Sequence, residues 1–160
     1  MIRLATQADI TQIAAVHVQS WHETYQGLVK SEILAALNVA QKIQIWTQVF
    51  QDDNHCLLVY EKDQKILGFL DGYLPKQKRT VEIRAFYLLK SIQKQGIGRE
   101  LFKRFYQCID VEKYDALSLE VFDQNPSRYF YEKLGATLVQ VEDAENYGDG
   151  LKICHYQWKI

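Results

Sequence analysis

The sequence predicts an α/β fold with α and β mixed, a mixed sheet with helices packed on it. Three features carry that expectation. Two periodicities alternate along the chain: runs in which apolar residues recur every three to four positions, and short runs that alternate in steps of two. The strand-like runs come first singly, then three in succession, then singly again, then as a closing pair, with helical stretches between them. At 160 residues, 48% hydrophobic and 24% charged, the chain can bury a substantial core and reads as one domain over 1–160. No internal repeat, low-complexity tract or linker divides it.

Residues 1–4 form a short strand. Thr6 and Asp9 then have the spacing of a capping box, which satisfies the free amides at a helix start. Ile10, Ile13, Ala14, His17, Val18, Trp21 and Tyr25 follow at helical spacing, predicting a helix over about 7–24 that Gly27 breaks. Residues 30–50 read as two helical pieces, one with Ile33, Leu34 and Leu37 on its apolar face, the other with Ile43, Trp46 and Phe50. After a loop at Asp52, Asp53 and Asn54, strands at 55–60 and 66–74 flank a polar turn and form an antiparallel hairpin. A turn with Lys76, Lys78 and Arg79 leads to a strand at 81–89. A helix over 96–109 places Ile97, Leu101, Phe102, Phe105 and Ile109 on one face. The strand at 116–122 alternates, with Leu117, Leu119 and Val121 on one side and Ser118, Glu120 and Phe122 on the other. Asn125, Pro126 and Gly135 punctuate a short helix as its N-cap, first residue and terminator. Strands at 137–142 and 151–158 close the chain around a polar loop at 143–150.

Composition excludes several functions. A net charge of −1 argues against a nucleic-acid partner. The longest apolar runs fall far short of the ~20 residues a membrane span needs, so no membrane partner is expected. Met1, Ile2 and Arg3 lead straight into strand-like sequence without an apolar secretory segment. Cys56, Cys108 and Cys154 are far apart, and no pair has metal or redox spacing. They read as reduced core thiols of a cytoplasmic protein. His17, His22, His55 and His155 form no ligand cluster, so no metal is expected.

The most informative segment is Gln93, Lys94, Gln95, Gly96, Ile97, Gly98 and Arg99. It follows a strand and opens an amphipathic helix. Glycine lets a backbone approach an anion closely, and the free amides of a first helical turn point at it. An ordinary strand-to-helix turn would use the same residues. The second segment is the short helix from Asn125 to Gly135, with Phe130 and Tyr131 inside it. Together the two segments resemble the GNAT superfamily of N-acetyltransferases, in its small single-domain bacterial form. Gln93, Gly96 and Gly98 fill the family's pyrophosphate-loop pattern; Asn125, Phe130, Tyr131 and Gly135 fill its later helix pattern. The order of elements matches the family along nearly the whole chain.

The resemblance implies a central mixed, mostly antiparallel sheet flanked by helices, with acetyl-CoA as co-substrate between a splayed fourth and fifth strand. Leu88 and Leu89 would offer backbone groups to the pantetheine arm and thioester. Gln93, Lys94, Gln95, Gly96, Ile97, Gly98 and Arg99 would wrap the pyrophosphate, and Asn125 would contact the pantetheine. Lys94 departs from the family's common glycine. Tyr131 matches the tyrosine that protonates the departing thiolate. Glu82 would be the base, or else a solvated strand residue. Trp21 and Tyr25 would line the acceptor pocket, or else the core, with Glu120 a further contact. Acidic Asp143, Glu145 and Asp149 would attract a cationic amine, or else form a solvated loop. The resemblance thus implies an N-acetyltransferase acting on a primary amine of a small cationic molecule, with no metal. A protein N-terminal or lysine acetyltransferase stays open, as do an inactive acyl-CoA-binding sensor or subunit and a homodimer. A nucleotide-binding α/β protein would need a Gly-x-Gly-x-x-Gly or Gly-Lys-Ser/Thr motif, which the sequence lacks.

Overall fold

In a computed structural model that describes residues 1–160, seven strands form a single sheet in the order β1-β2-β3-β4-β5-β7-β6. The elements are β1 (Ile2–Leu4), α1 (Ile10–Tyr25), α2 (Ser31–Ala35), α3 (Val39–Gln51), β2 (His55–Lys62), β3 (Lys65–Tyr73), β4 (Thr80–Leu88), α4 (Ile97–Tyr106), β5 (Ala116–Phe122), α5 (Ser127–Lys133), β6 (Thr137–Asp143) and β7 (Lys152–Lys159). Only β4 and β5 run parallel; every other pair is antiparallel.

Local chemistry sets the boundaries. The Thr6–Asp9 box forms, but its first turn is a 3-10 turn over Gln7–Asp9, and α1 proper begins at Ile10. Asp9 also accepts Arg3 at 2.7 Å and 2.9 Å, tying β1 to the helix start. Asp63 and Gln64, both with positive φ, make the two-residue turn of the β2–β3 hairpin, tighter than the polar turn expected. The helix expected over 96–109 stops at Tyr106. Asn125 is not the formal N-cap of α5: its Oδ1 accepts the Ser127 amide at 2.9 Å from one residue further upstream.

Helices cover both faces. Leu57, Val59, Phe69 and Ala85 face α1 and α3, around Ile13 and Trp46. Leu58, Leu70, Val81, Leu117 and Leu119 face α4 and α5, around Phe105 and Tyr131. Cys56 and Cys108 are remote in sequence, yet their thiols meet where α4 crosses β2. Burial, followed by the neighbouring Cys108 thiol, pushes the Cys56 thiol up.

One irregularity governs the middle of the sheet. Asp71 pairs with Ala85 and the next residue, Gly72, pairs with Ile83, so Arg84 is an extra residue in β4. A bulge bends its strand and raises the local twist. Before it, Val81 and Ile83 face α4. After it, Phe86 and Leu88 take that face, and Ala85 and Tyr87 turn to α1. The pairing of β4 with β5 ends at the same point, at Ile83 and Leu119.

Gly72, beside the bulge, lies directly under α4. A Cβ there would come within 2.1 Å of the Phe105 ring. Gly72→Ala is therefore expected to destabilise the fold by about 1–3 kcal/mol, the usual range for overpacking. A urea midpoint equal to that of the wild type would contradict this packing.

Candidate active site

Beyond Ile83 and Leu119 the two parallel strands part, and a slot of about 90 Å³ opens between them. β4 lines one wall from Ile83 to Leu88, and β5 lines the other from Leu119 to Val121. Ser20, Thr24 and Tyr25 approach from α1, and Asn125, Ser127 and Tyr131 approach from the α5 side. Gln93 marks the end nearest α4. Outside the slot lies a wider groove of about 720 Å³ across β4, β5, β7 and β6. The two share Ile83, Arg84, Leu119 and Glu120, so they are continuous.

Gln93, the first residue of the segment running to Arg99, lines the slot, and the rest of the segment lies beyond that end. Gln93 Nε2 donates to the Leu88 carbonyl at 2.8 Å, fastening the turn to the end of β4. Gln95 Nε2 donates to the Ser91 carbonyl at 3.0 Å. Gly96 has φ of 84° and stands at the N-cap position of α4. Ile97 starts the helix and packs on the core. Lys94 also adopts a left-handed backbone, with φ of 61°. A side chain in that region costs roughly 1–2 kcal/mol, which explains why glycine suits the position. At Gly98 a Cβ would meet only Leu88 and Phe130, at 3.4 Å and 3.5 Å, which is ordinary contact. Packing within the chain does not demand glycine there. Lys94 and Arg99 are exposed near this turn.

Tyr131 is buried beside Phe86 and Phe130, and its hydroxyl makes no hydrogen bond inside the chain. Burial, then the nearby Tyr25 and Tyr87, pushes its phenol well above the ordinary value, so the proton stays on Oη. Asn125 is buried and donates to the Tyr25 hydroxyl at 2.9 Å, joining α1 to α5 across the slot. The Ser20 hydroxyl lines the same slot, is shut off from solvent, and has no partner.

The structure brings some of the sequence-predicted residues to the slot and places others away from it. Leu88 lines the slot, but Leu89 does not. The Leu89 amide donates to the Leu67 carbonyl at 3.0 Å, its carbonyl accepts the Ile92 amide, and its side chain is buried against the α1 layer. Trp21 stands behind the slot wall. It donates to the Tyr87 hydroxyl at 3.0 Å and packs on Tyr25 and Phe122. Glu82 faces the outer groove, held by Arg84 at 3.2 Å and Lys78 at 3.8 Å. Glu120 is the carboxylate at the junction of slot and groove. Asp143, Glu145 and Asp149 line neither cavity. Their loop instead packs on the connection after α1, where the Lys30 amide donates to the Tyr147 carbonyl at 2.7 Å. Sequence reasoning missed Ser20, although it interrupts the apolar stripe of α1 between Val16 and Thr24. It also missed His155, whose site is made by strand pairing. No group of His, Cys, Asp or Glu side chains could hold a metal ion, and no helix is long and apolar enough to cross a membrane.

This geometry agrees with the comparisons to known proteins. The model of the acetyltransferase (GNAT) family matches residues 15–136. The chain belongs to the GNAT acetyltransferase family. It is 29% identical over 164 aligned positions to the uncharacterised N-acetyltransferase YuaI of Bacillus subtilis, covering 98% of this chain and 91% of that one. Among solved structures, the PaiA N-acetyltransferase of Thermoplasma acidophilum in complex with coenzyme A matches with a TM-score of 0.76. It is 19% identical, over 99% of this chain and 98% of that one. The ribosomal-protein-alanine N-acetyltransferase of Brucella melitensis matches with a TM-score of 0.79. It is also 19% identical, over 100% and 99% of the two chains. The GNAT fold, a mostly antiparallel seven-stranded sheet with helices on both faces, is thus shared along the whole length, and the chain is an acetyl-CoA-dependent N-acetyltransferase.

One half-buried group behind this GNAT slot makes stability depend on pH. His17 stacks on Tyr87 with ring centres 4.9 Å apart, and its Nδ1 accepts from Trp46 Nε1 at 3.1 Å. Burial, then the charge of Lys42, pulls its imidazole down to about 3. An unfolded histidine titrates near 6.5. Between those values the unfolded chain binds a proton that the folded chain excludes. The contribution of His17 to stability is therefore complete above pH 6.5 and lost as pH falls, by up to about 1.4 kcal/mol per pH unit. Stability should fall more steeply from pH 7 to pH 5 in the wild type than in His17→Gln, measured by urea midpoints. Parallel slopes would contradict a His17 held neutral by its packing.

Proposed function

We propose that the slot takes the acetyl-pantetheine end of acetyl-CoA, that the turn from Gln93 to Arg99 takes its pyrophosphate, and that the acceptor is a primary amine of a small cationic molecule. The observation that carries this reading is the continuity of three features: the glycine turn, the slot between β4 and β5, and the acidic groove beyond. The residues fit the group. The Ser20 hydroxyl lacks a partner within the chain, and a Cβ at Gly96 or Gly98 would project into open space or loose contact. The start of α4 offers free amides and a favourable dipole to an anion. Lys94 and Arg99 add positive charge at the same end.

When bound, acetyl-CoA supplies an acyl group activated as a thioester, with a thiolate to leave. The chain's part is to align that group with the amine and to manage two protons. Tyr131 keeps its proton at neutral pH and holds it at Oη inside the slot, ready for the departing sulfur. Glu120, at the junction, attracts the acceptor's ammonium and accepts its proton through water. The amine nitrogen then bonds to the acyl carbon as the carbon–sulfur bond breaks; the Tyr131 proton passes to the sulfur, and the second proton the nitrogen sheds returns through water to the Tyr131 oxygen. Glu82, engaged by Arg84 and Lys78, helps set the charge of the groove. The chain's three cysteines are unpaired, Cys56 and Cys108 being neighbours, in keeping with a reducing cytoplasmic setting.

Two outcomes test this reading. CoA at a hundred times its dissociation constant should stabilise the fold by about 2.7 kcal/mol, seen as a raised melting temperature. Gly98→Val should stay folded and lose that shift. A larger shift with ATP or NAD than with CoA would overturn the assignment of the turn. Tyr131→Phe should retain the CoA shift while kcat falls, within the ~10²–10⁴-fold typical of general acid catalysis. Full turnover by Tyr131→Phe would remove it from the chemistry. Turnover of peptide N-termini and of no small amine would contradict the acceptor class.

A further inference from the structure

The slot between β4 and β5 is lined by hydrogen-bond donors that the chain leaves unused. Ser20 is the clearest case. The residue is only 3% exposed, its hydroxyl is shut off from solvent, and it bonds nothing. A serine inside a helix ordinarily points to water or turns back to the carbonyl four residues before it, and Ser20 does neither. Two phenols of the same slot share the condition. Tyr25 Oη accepts from Asn125 at 2.9 Å, and Tyr87 Oη accepts from Trp21 at 3.0 Å. Neither passes its own proton to an acceptor in the chain. Burial pushes both phenols up, so those protons stay in place at neutral pH.

A buried hydroxyl without a partner costs the free protein stability. Alanine would suit α1 better at this point, since it forms helix more readily and leaves no polar atom unsatisfied. What this wall lacks is an acceptor. An ammonium cannot fill that need, because it only donates. The incoming amine is therefore matched to the carboxylate of Glu120 at the junction and not to Ser20. The acyl oxygen of the thioester does accept, and negative charge gathers on it as the nitrogen adds. Ser20 approaches the slot from α1 and Tyr131 from the α5 side. A thioester lying between them turns its sulfur to the Tyr131 proton and its oxygen to the opposite wall.

Resting on the acetyl-CoA reading above, we infer that the Ser20 hydroxyl donates to the acyl oxygen of the bound thioester. Ser20 keeps its proton throughout. As the nitrogen pair forms the new bond to carbon, the carbonyl pair moves onto the oxygen that Ser20 holds, and its return expels the sulfur. The hydroxyl meets that oxygen by rotation about a single torsion with three staggered positions. A donor sealed from water contributes more than an exposed one, because no solvent competes for it.

The test needs no acceptor amine. Acetyl-CoA and S-ethyl-CoA have the same length and differ in the acyl oxygen. Their dissociation constants are compared in the wild type and in Ser20→Ala. The preference for acetyl-CoA should be about tenfold smaller in the variant, the size of one well-made hydrogen bond. Infrared spectra of bound acetyl-CoA, labelled with carbon-13 at the carbonyl, should show a lower stretching frequency in the wild type than in Ser20→Ala, since a hydrogen bond weakens the carbonyl bond. Without ligand, Ser20→Ala should have a urea midpoint at or above that of the wild type. A lower midpoint would mean that the hydroxyl serves the fold, and it overturns the inference. An unchanged preference or an unchanged stretch overturns it too, as expected if Ser20 only holds a water. These failures leave the acetyl-CoA reading standing as long as CoA still raises the melting temperature of the wild type. If CoA gives no such shift, both readings fall.

Discussion

The bulge at Arg84 is the constraint on which the rest of the site depends. β3 stays regular from Leu70 through Tyr73, so the extra residue must be absorbed by β4 alone. Its consequence is a change of face: the alternation that buries Val81 and Ile83 under α4 restarts one residue late, with Phe86 and Leu88. The bent strand can no longer follow β5. Two parallel strands that would otherwise close against each other leave a slot whose edges are backbone. An antiparallel partner remains on the outer side of each, β3 for β4 and β7 for β5, so the opening forms without freeing a strand from the sheet.

An opening in the middle of a sheet exposes groups that a closed sheet would satisfy, and the surrounding layers limit that exposure. Aromatic residues form the backing. His17, Trp21 and Tyr87 are stacked and bonded behind one wall, and Phe86 and Phe130 pack with Tyr131 at the other. The Asn125–Tyr25 bond spans between the helical layers. This dry backing keeps the Tyr131 proton in place and keeps His17 neutral. Burial on the two sides of the sheet thus raises the Tyr131 phenol and lowers the His17 imidazole, and the second of these gives the fold its sensitivity to low pH. Polar character increases outward, from the orphan hydroxyl of Ser20 to the carboxylates around His155.

The elements of the fold were largely legible because their signals are local. The glycines at 96 and 98, Asn125 with Pro126, and Gly135 each dictate a backbone conformation to their immediate neighbours, and the helices begin and end close to them. The acetyltransferase resemblance rested on those same positions. What stayed hidden depends on pairing between distant residues. Arg84 has no mark of a bulge, since the extra residue is defined only against β3. Leu89 reads as a continuation of its strand, yet the shifted register gives its amide to Leu67. Glu82 and Glu120 look equivalent as strand carboxylates, and only the point where the strands part sets one in the outer groove and the other at the junction. Glu120, His155 and Glu142 come together only because three strands lie side by side. The acidic loop of Asp143, Glu145 and Asp149 was legible as charge, but its backbone is committed to the connection after α1.

The central claim is that function resides where β4 and β5 separate. Amide hydrogen exchange with and without acetyl-CoA tests this most directly, since it reports every backbone group at once. Added acetyl-CoA should slow exchange over residues 83–88, 93–99 and 119–127, the lips and polar end of the slot. It should leave β2 and β6 close to their unliganded rates. Protection centred on another surface, with the two lips unchanged, would contradict the account.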